Sequence, residues 1–166
     1  MRNEANHGSN GRIIAKMNSL VDMDVIKELY RASQKGVEID LIVRGICCLK
    51  PGIKGISDNI RVRSIVGKYL EHARVFYFKN NGDEILYLSS ADWMPRNFNK
   101  RVETMFPVES NTIKEYIKEI LNIQLRDTTK ARIMQPDGTY IRTEQKDCNS
   151  QEYFEKWVKL KDINNI

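Results

Sequence analysis

The chain has 166 residues, of which 41% are hydrophobic and 30% are charged, and its formal net charge is +5. This length and composition suit one globular domain, and no apolar run approaches the roughly 20 residues of a membrane-spanning helix. The polar start lacks the apolar segment of a secretory signal, and the three cysteines (Cys47, Cys48 and Cys148) follow no disulfide or zinc-ligand spacing. We therefore expect reduced thiols and a cytoplasmic protein, with association with a membrane left open.

The first quarter of the chain predicts a strand, a helix and a second strand. Apolar residues indicate a buried strand over 12–17, and apolar residues at helical spacing follow over 21–30. Alternating apolar residues then predict a strand over 37–43. This order is typical of a βαβ unit, in which the two strands run parallel and the crossover is right-handed.

Polar and small residues predict where the helix of this unit begins and ends. Ser19 and Asp22 resemble a capping box, with Ser19 as the N-cap residue. Gly36 follows the last helical turn, where a glycine in the left-handed conformation is usual.

The remainder of the chain predicts further strands joined by turns, and then helices. Strands are expected over 60–66, from residue 74 to 78, over 85–93 and over 101–108, with a hairpin turn centred on Asn81 and Gly82. An amphipathic helix is expected over 111–126, a turn with a short strand over 135–142, and a last helix around 153–158. The fold class predicted from these elements is α/β, with a mixed sheet flanked by helices.

Positive charge is concentrated in the middle of the chain. From Arg44 to Arg101 there are 11 Lys or Arg and 5 Asp or Glu residues, a balance of +6, whereas the rest of the chain carries about −1. This favours a polyanionic partner, which could be phosphates, nucleic acid or an anionic membrane surface. Ligands of open α/β sheets bind beyond the carboxyl ends of parallel strands. Lys16 and Arg44 stand at those ends, and Arg44 is the better candidate for an anion contact.

His72 is one of only two histidines, and its sequence neighbourhood leaves three roles open. It could be a partly buried structural residue, a metal ligand, or a group that acts as acid, base or phosphate contact. Cys and His ligands are too few for a metal site. The basic strand end at Arg44 and the polar cluster of Ser90 and Asp92 favour a role in chemistry. Asp92 would either orient an arginine or cap the following turn.

The spacing after His72 is similar to a half-site of the phospholipase D superfamily. That half-site has His, Lys two residues later, Asp five further on, and a Gly-Ser-x-Asn element. The counterparts here are His72, Arg74, Lys79 and "SSAD", so Arg replaces Lys and the Asp is absent. Such enzymes pair two half-sites and only one is visible, so a complete phosphodiesterase monomer is not expected.

Four longer motifs in order resemble the C-terminal catalytic domain of bacterial polyphosphate kinase, the large ATP-dependent type. They are "RIIAKMNSLVD", "DLIVRGICCLKPGI", "SDNIRVRSIVGKYLEHARVFYF" and "YLSSADWMPRN", and the resemblance covers roughly residues 6–142. It implies a phospholipase D-like fold, a catalytic domain over 1–143 and a helical extension over 144–166. Buried strand residues begin already at Arg12, which favours a domain cut from a longer protein, although a short natural tail would give the same pattern.

The resemblance also implies an activity that is shared with other domains. The γ-phosphate of ATP would pass reversibly to polyphosphate through a phosphohistidine in the preceding domain, which this chain lacks. The ligands of the Mg²⁺ ion are likewise expected there, with none in this chain. The implied partners are ATP or ADP, polyphosphate, the preceding domains of the same polypeptide and further copies in a homo-oligomer, with no specific nucleic acid.

Residue by residue, the resemblance assigns His72 as the catalytic residue and Arg44, His72 and Arg101 as contacts of ATP or polyphosphate. Lys16, Arg74 and Arg96 are expected to be further phosphate contacts. For His72, contact with a phosphate oxygen is preferred over general-acid catalysis.

Two other functions stay open on the sequence. One is a phospholipase D-like phosphodiesterase or nuclease that works as a dimer of identical half-sites. The other is a basic nucleic-acid-binding domain, whose binding would be sensitive to salt and indifferent to His72.

Overall fold

The structure is a computed structural model that describes the backbone of residues 1–164 and the side chains of residues 1–158. The strands are β1 (Arg12–Met17), β2 (Glu38–Val43), β3 (Ile60–Ile65), β4 (Arg74–Phe78), β5 (Ile85–Ser89), β6 (Met105–Pro107), β7 (Ala131–Met134) and β8 (Tyr140–Arg142). The helices are α1 (Arg2–Ala5), α2 (Met23–Gln34), α3 (Pro95–Lys100), α4 (Asn111–Leu125) and α5 (Ser150–Asn164), with 3-10 turns at Gly8–Asn10 and Asn80–Gly82. Among the helices of residues 1–164, none is long and apolar enough to cross a bilayer.

The described strands form one mixed sheet in the order β6-β5-β4-β1-β2-β3-β7-β8. β1, β2 and β3 are parallel neighbours, whereas β4 lies antiparallel to β1 and β7 lies antiparallel to β3. The predicted βαβ unit is confirmed, because β1 and β2 pair in register from Arg12↔Glu38 to Met17↔Val43 with α2 between them.

The sheet lies between two helical layers, each of which buries an apolar face. On one face α2 contributes Ile26 and Leu29 to a core with β-strand residues such as Leu41. On the other face Leu121 of α4 packs in a core with residues such as Ile42. Because side chains alternate across a strand, the adjacent residues Leu41 and Ile42 supply opposite faces.

The start of α2 differs from the prediction. Asp22 is the N-cap residue, and its carboxylate accepts hydrogen bonds from the backbone N–H groups of Asp24 and Val25. Ser19 is too early, because the next residue, Leu20, is held in extended backbone by bridges to Cys47 and Trp93. The end of the helix is as predicted, since Gly36 follows it with a φ of 95°.

The segment after β5 is more helical than the sequence indicated. A strand was expected over 101–108, but only Met105–Pro107 pairs with β5. Residues 95–100, which lie between two predicted strands, form α3, which begins with a proline in its first turn. The hairpin between β4 and β5 is confirmed, with a loop over 79–84 rather than a two-residue turn.

Candidate functional site

The carboxyl ends of the parallel strands bring most of the predicted site residues to one edge of the sheet. Lys16 lies near the end of β1, and Arg44 directly follows β2. Because β4 runs antiparallel to β1, its first residue, Arg74, lies at the same edge, and His72 precedes it by two residues. The topology therefore gathers four cationic or ionisable side chains from three strands.

Glu71 connects these residues, although the sequence did not single it out. Its carboxylate accepts a hydrogen bond from Lys16 Nζ at 2.7 Å, and its backbone carbonyl accepts one from Arg44 Nη1 at 2.5 Å. The same carboxylate also accepts hydrogen bonds from the side-chain amides of Gln124 and Gln151. Burial alone would raise the pKa of Glu71, but the Lys16 charge and these hydrogen bonds outweigh it, and the pKa lies below its ordinary value.

Arg74 and Asp92 form a second buried ion pair beside His72. Arg74 donates to both carboxylate oxygens of Asp92 at 3.2 Å, and its third donor reaches the backbone carbonyl of His72 at 3.0 Å. Asp92 also accepts from the backbone N–H of Asn18 at 2.7 Å. Burial would raise the pKa of Asp92, but Arg74 and Asn18 outweigh burial and lower it. Asp92 therefore orients an arginine, the first of the two roles considered for it.

His72 has a fixed backbone and an open side chain. The preceding carbonyl, of Glu71, is held by Arg44, and the carbonyl of His72 itself is held by Arg74. The residue is nevertheless exposed, and within residues 1–158 its imidazole makes no side-chain hydrogen bond. An exposed ring on an immobilised backbone is poorly explained by packing and well suited to meeting a ligand.

Arg101 and Arg96 lie apart from the Glu71 network, on the other side of Arg74. Arg96 is in α3 and Arg101 is the residue that ends it, and both are exposed. Glu103 follows nearby and accepts hydrogen bonds from Ser90 and Asn97, which lower its pKa together with the charges of Arg101 and Arg74. The charges of Arg101 and Arg74 thus both act on the Glu103 carboxylate, whereas no described contact joins Arg101 to His72.

The cations at this edge differ in how far their charge is neutralised. Lys16 and Arg74 are each paired with a buried or half-buried carboxylate. Arg44 is half-buried and bonds to a neutral carbonyl, and it forms no ion pair with any described residue. Its positive charge is therefore available to an anion without breaking an existing ion pair.

The donor set at this edge does not suit a divalent metal ion. Metals such as Mg²⁺ need several free oxygen ligands, whereas Glu71 and Asp92 are both engaged by cations and amides. The described part of the chain holds no group of three or more His, Cys, Asp or Glu side chains placed around a common point.

A cavity of about 990 Å³ lies elsewhere, between α2 and the outer part of the sheet. It is lined by aromatic residues such as Phe76 and Tyr87 and by charged residues of α2, and it includes none of the predicted site residues. Its position on a sheet face rather than at the strand ends separates it from His72. The candidate site lies at the cationic edge of the sheet because the predicted phosphate-binding side chains meet there. The size of a cavity elsewhere does not decide its position.

Replacing Arg74 with lysine is expected to lower the free energy of unfolding by about 2 kcal/mol, because an ammonium cannot bond both Asp92 oxygens and the His72 carbonyl together. Urea unfolding followed by circular dichroism measures this change. The exposed Arg132 of β7 gives the matched control, since Arg132→Lys leaves no carboxylate unpaired. Equal stability of the two variants would contradict the role given to the guanidinium fork.

Solved structures with the same fold include a member of the phospholipase D family. Nuc from Salmonella typhimurium, a phospholipase D family member, has a TM-score of 0.57 at 14% identity and covers 81% of this chain and 90% of that chain. At this identity the likeness shows the fold alone, which is phospholipase D-like, as expected. The crystal structure of polyphosphate kinase from Porphyromonas gingivalis has a TM-score of 0.91 at 44% identity and covers 98% of this chain and 26% of that chain.

Curated relatives are polyphosphate kinases. The Pseudomonas putida protein is 60% identical over 136 residues, which are 82% of this chain and 19% of that protein. The Helicobacter pylori protein is 55% identical over 158 residues, 94% of this chain and 23% of that protein. The chain thus spans about a fifth of the length of these relatives. The family described as polyphosphate kinase C-terminal domain 2 matches residues 1–153, and the chain belongs to this family.

Proposed function

We propose that this chain is the C-terminal catalytic part of a polyphosphate kinase and assists the reversible transfer of the ATP γ-phosphate to polyphosphate. The observation that carries the proposal is His72, an exposed imidazole on a backbone held from both sides at a cationic strand edge. Family membership and the identities to polyphosphate kinases support it. ATP, ADP and polyphosphate are the substrates, and a cytoplasmic location belongs to the same proposal.

Phosphoryl transfer explains why this edge is built from cations. The transferred group spreads negative charge over its equatorial oxygens, and catalysis consists mainly of positioning and of stabilising that charge. Arg44 supplies forked donors and an uncompensated charge at the end of β2. His72 contacts a phosphate oxygen as a hydrogen-bond donor, and Arg101 extends the positive edge toward α3.

Lys16 and Arg74 have a different place in this mechanism. Each is already paired, with Glu71 or Asp92, so a bound phosphate would share the cation with a carboxylate. They are therefore proposed to raise the local positive potential and to hold the site in shape. Arg96, exposed on α3, is proposed as an outer phosphate contact.

The remaining parts of the reaction are proposed to come from outside the chain. They are the phosphate-accepting histidine, located in a preceding domain, and the ligands of Mg²⁺. Preceding domains and further copies in a homo-oligomer are the proposed protein partners. The share of about a fifth of the relatives' length supports such additional parts. Alone, the 166-residue chain is expected to bind phosphates weakly and to transfer them poorly.

One experiment separates this proposal from the two alternatives. The chain alone, and the longer polypeptide that contains it, are each incubated with γ-labelled ATP and separately with a phosphodiester substrate. Label on the longer polypeptide only, with no diester cleavage, is the expected result. Diester hydrolysis by the isolated chain would establish the phosphodiesterase instead. The nucleic-acid-binding domain would be established if neither polypeptide were labelled by ATP and if the chain bound DNA in a salt-sensitive manner that His72→Ala did not change.

A further inference from the structure

The loop that carries His72 contains little that would hold it in place by packing. Residues 66–73, here called the His72 loop, connect β3 to β4. Leu70 is 77% exposed and Val66 is 62% exposed, so the larger apolar side chains of the loop face outward. A segment with few buried contacts has low local stability unless hydrogen bonds fix it. The conformation of the loop therefore depends on its polar partners.

One of these partners is Gln151, near the start of α5, which makes three hydrogen bonds to the loop. Its side chain is buried, and its amide forms two hydrogen bonds of 2.9 Å with the backbone of Tyr69, one to the N–H and one to the carbonyl. The same amide nitrogen also donates to Glu71 Oε1 at 2.9 Å. A single glutamine thus fixes the backbone three residues before His72 and also contacts Glu71, which bonds Lys16.

The loop approaches Gln151 so closely that any side chain at position 67 would displace the Gln151 amide. A Cβ atom on Gly67 would lie 2.6 Å from Gln151 Oε1 and 3.1 Å from its Cδ. A second contact from α5 lies one turn later, where Glu155 accepts hydrogen bonds from Lys68 and Tyr69. The surfaces of the loop and of α5 are therefore matched over more than one turn of the helix.

The base of α5 is itself fixed to the rest of the domain. Ser150 donates from its backbone N–H and its hydroxyl to the buried carboxylate of Asp127, at 2.8 Å and 2.6 Å. Asp127 lies just beyond α4, so the residue before Gln151 is held against the helical layer of the sheet. Gln151 is therefore held in place by the start of α5, and its hydrogen bonds can fix the position of the His72 loop.

From these contacts we propose that Gln151 is a positioning residue for His72, which makes the first turn of α5 part of the phosphate-handling site. This inference rests on the proposed function, since it assigns Gln151 a role in presenting His72 to phosphate. The competent loop conformation would be only partly populated without the glutamine amide. Apparent affinity for a phosphate ligand falls by the same fraction as the competent population.

The test uses the 166-residue chain and exploits its two histidines. The Cε1–H signal of His72 reports on the site, and that of His7 serves as an internal reference in every sample. Gln151→Ala removes the amide that bonds Tyr69 and Glu71. Gly67→Ala displaces the same amide but leaves the sequence of α5 unchanged. Gln34→Ala is the matched control, because Gln34 bonds the Gly55 carbonyl in a different loop at 3.1 Å.

Two quantities are measured in each variant: hydrogen exchange of the Tyr69 amide, and the affinity for inorganic tripolyphosphate from the shift of the His72 signal. We expect Gln151→Ala to speed hydrogen exchange of the Tyr69 amide about tenfold. The same substitution should lower the affinity for tripolyphosphate about threefold to tenfold. Gly67→Ala should change both in the same direction, and Gln34→Ala should change neither.

The outcomes distinguish the inference from the function on which it rests. Unchanged exchange at Tyr69 in both loop variants would show that Gln151 does not hold the loop. Faster exchange with unchanged tripolyphosphate affinity would reduce Gln151 to a structural residue and overturn the positioning role. If tripolyphosphate does not shift His72 in the unmodified chain at all, the proposed phosphate site is wrong, and the positioning role falls with it.

Discussion

Replacing His72 with alanine is expected to lower ATP-dependent polyphosphate synthesis about a hundredfold, the usual loss when one donor to a developing oxyanion is removed. The free energy of unfolding should stay within about 0.5 kcal/mol of the unmodified protein. The reason is that the imidazole is exposed and forms no side-chain hydrogen bond within residues 1–158, while the backbone around it is held by Arg44 and Arg74.

The measurement is made in the proposed longer polypeptide, with initial rates of synthesis over a range of ATP concentrations. His7→Ala is the matched control, because His7 precedes β1 and so lies at the opposite edge of the sheet. A contact made mainly in the transition state lowers kcat and kcat/KM equally, whereas a contact to bound ATP raises KM. His72→Gln restores a neutral N–H donor and should recover part of the rate if contact is the role.

Ordinary synthesis by His72→Ala, with correct folding, would remove His72 from the mechanism. It would also argue against a phosphate site at this edge of the sheet, because the proposed roles of the other cations depend on their position near His72. A variant that is slow but also strongly destabilised would contradict the structural argument instead, because the imidazole is exposed and makes no side-chain hydrogen bond within residues 1–158. The two failures are separated by one urea titration.

The sequence was sufficient to predict that Lys16, Arg44 and His72 lie at one edge of the sheet, because the signals for this are local. Apolar alternation and helical spacing predict β1, α2 and β2, and parallel strands place Lys16 and Arg44 at one edge by topology alone. His72 reaches the same edge because the next paired strand, β4, runs antiparallel to β1. Short-range patterns thus specified which side chains meet, without any knowledge of their contacts.

The hydrogen-bond network around Glu71 could not be predicted from short-range sequence patterns. Gln124 and Gln151 lie 53 and 80 residues away from Glu71 along the chain. A glutamine in an amphipathic helix ordinarily faces water, so neither residue carries a signal of burial. The only local hint was composition, because Glu71 is an acidic residue within a strongly basic segment. Pairing at long range is decided by packing of α4 and α5, which periodicity does not describe.

The corrected start of α2 has a similar cause. Ser19 and Asp22 both have side chains that cap helices, and the sequence offers no way to rank them by position alone. The choice is made by Leu20, whose bridges to Cys47 and Trp93 keep the backbone extended beyond Ser19. Tertiary contacts therefore override the predicted capping box at Ser19. Asp22 caps the helix instead.

Replacing Asp127 with alanine is expected to lower the free energy of unfolding by about 3 to 4 kcal/mol, because several buried donors lose their acceptor together. Asp127 is 1% exposed. One carboxylate oxygen accepts from the backbone N–H groups of Thr129, Lys130 and Ala131, and the other accepts from the N–H and hydroxyl of Ser150. The residue therefore connects the end of α4, the start of β7 and the start of α5.

The same contacts give this stability a defined dependence on pH. Burial would raise the pKa of Asp127, but the hydrogen bonds from Ser150 and the backbone outweigh it and hold the pKa below its ordinary value. A group with a depressed folded pKa contributes stability above its unfolded pKa, which is about 3.9 for aspartate. That contribution is lost as the pH falls through the folded pKa. Asp127→Ala should therefore lose less stability on acidification than the unmodified chain.

Urea unfolding at pH 7 and at several values down to pH 3 measures both effects on the isolated chain. Asp137→Ala is the matched control, because Asp137 also accepts bonds from a backbone N–H and a hydroxyl, both of Thr139, but is exposed. Its loss should change stability little. If Asp127→Ala resembled Asp137→Ala, the base of α5 would not be fixed by this carboxylate, and Gln151 would lack the anchor that its positioning role requires. The stability of one buried aspartate thus bears directly on how His72 is held.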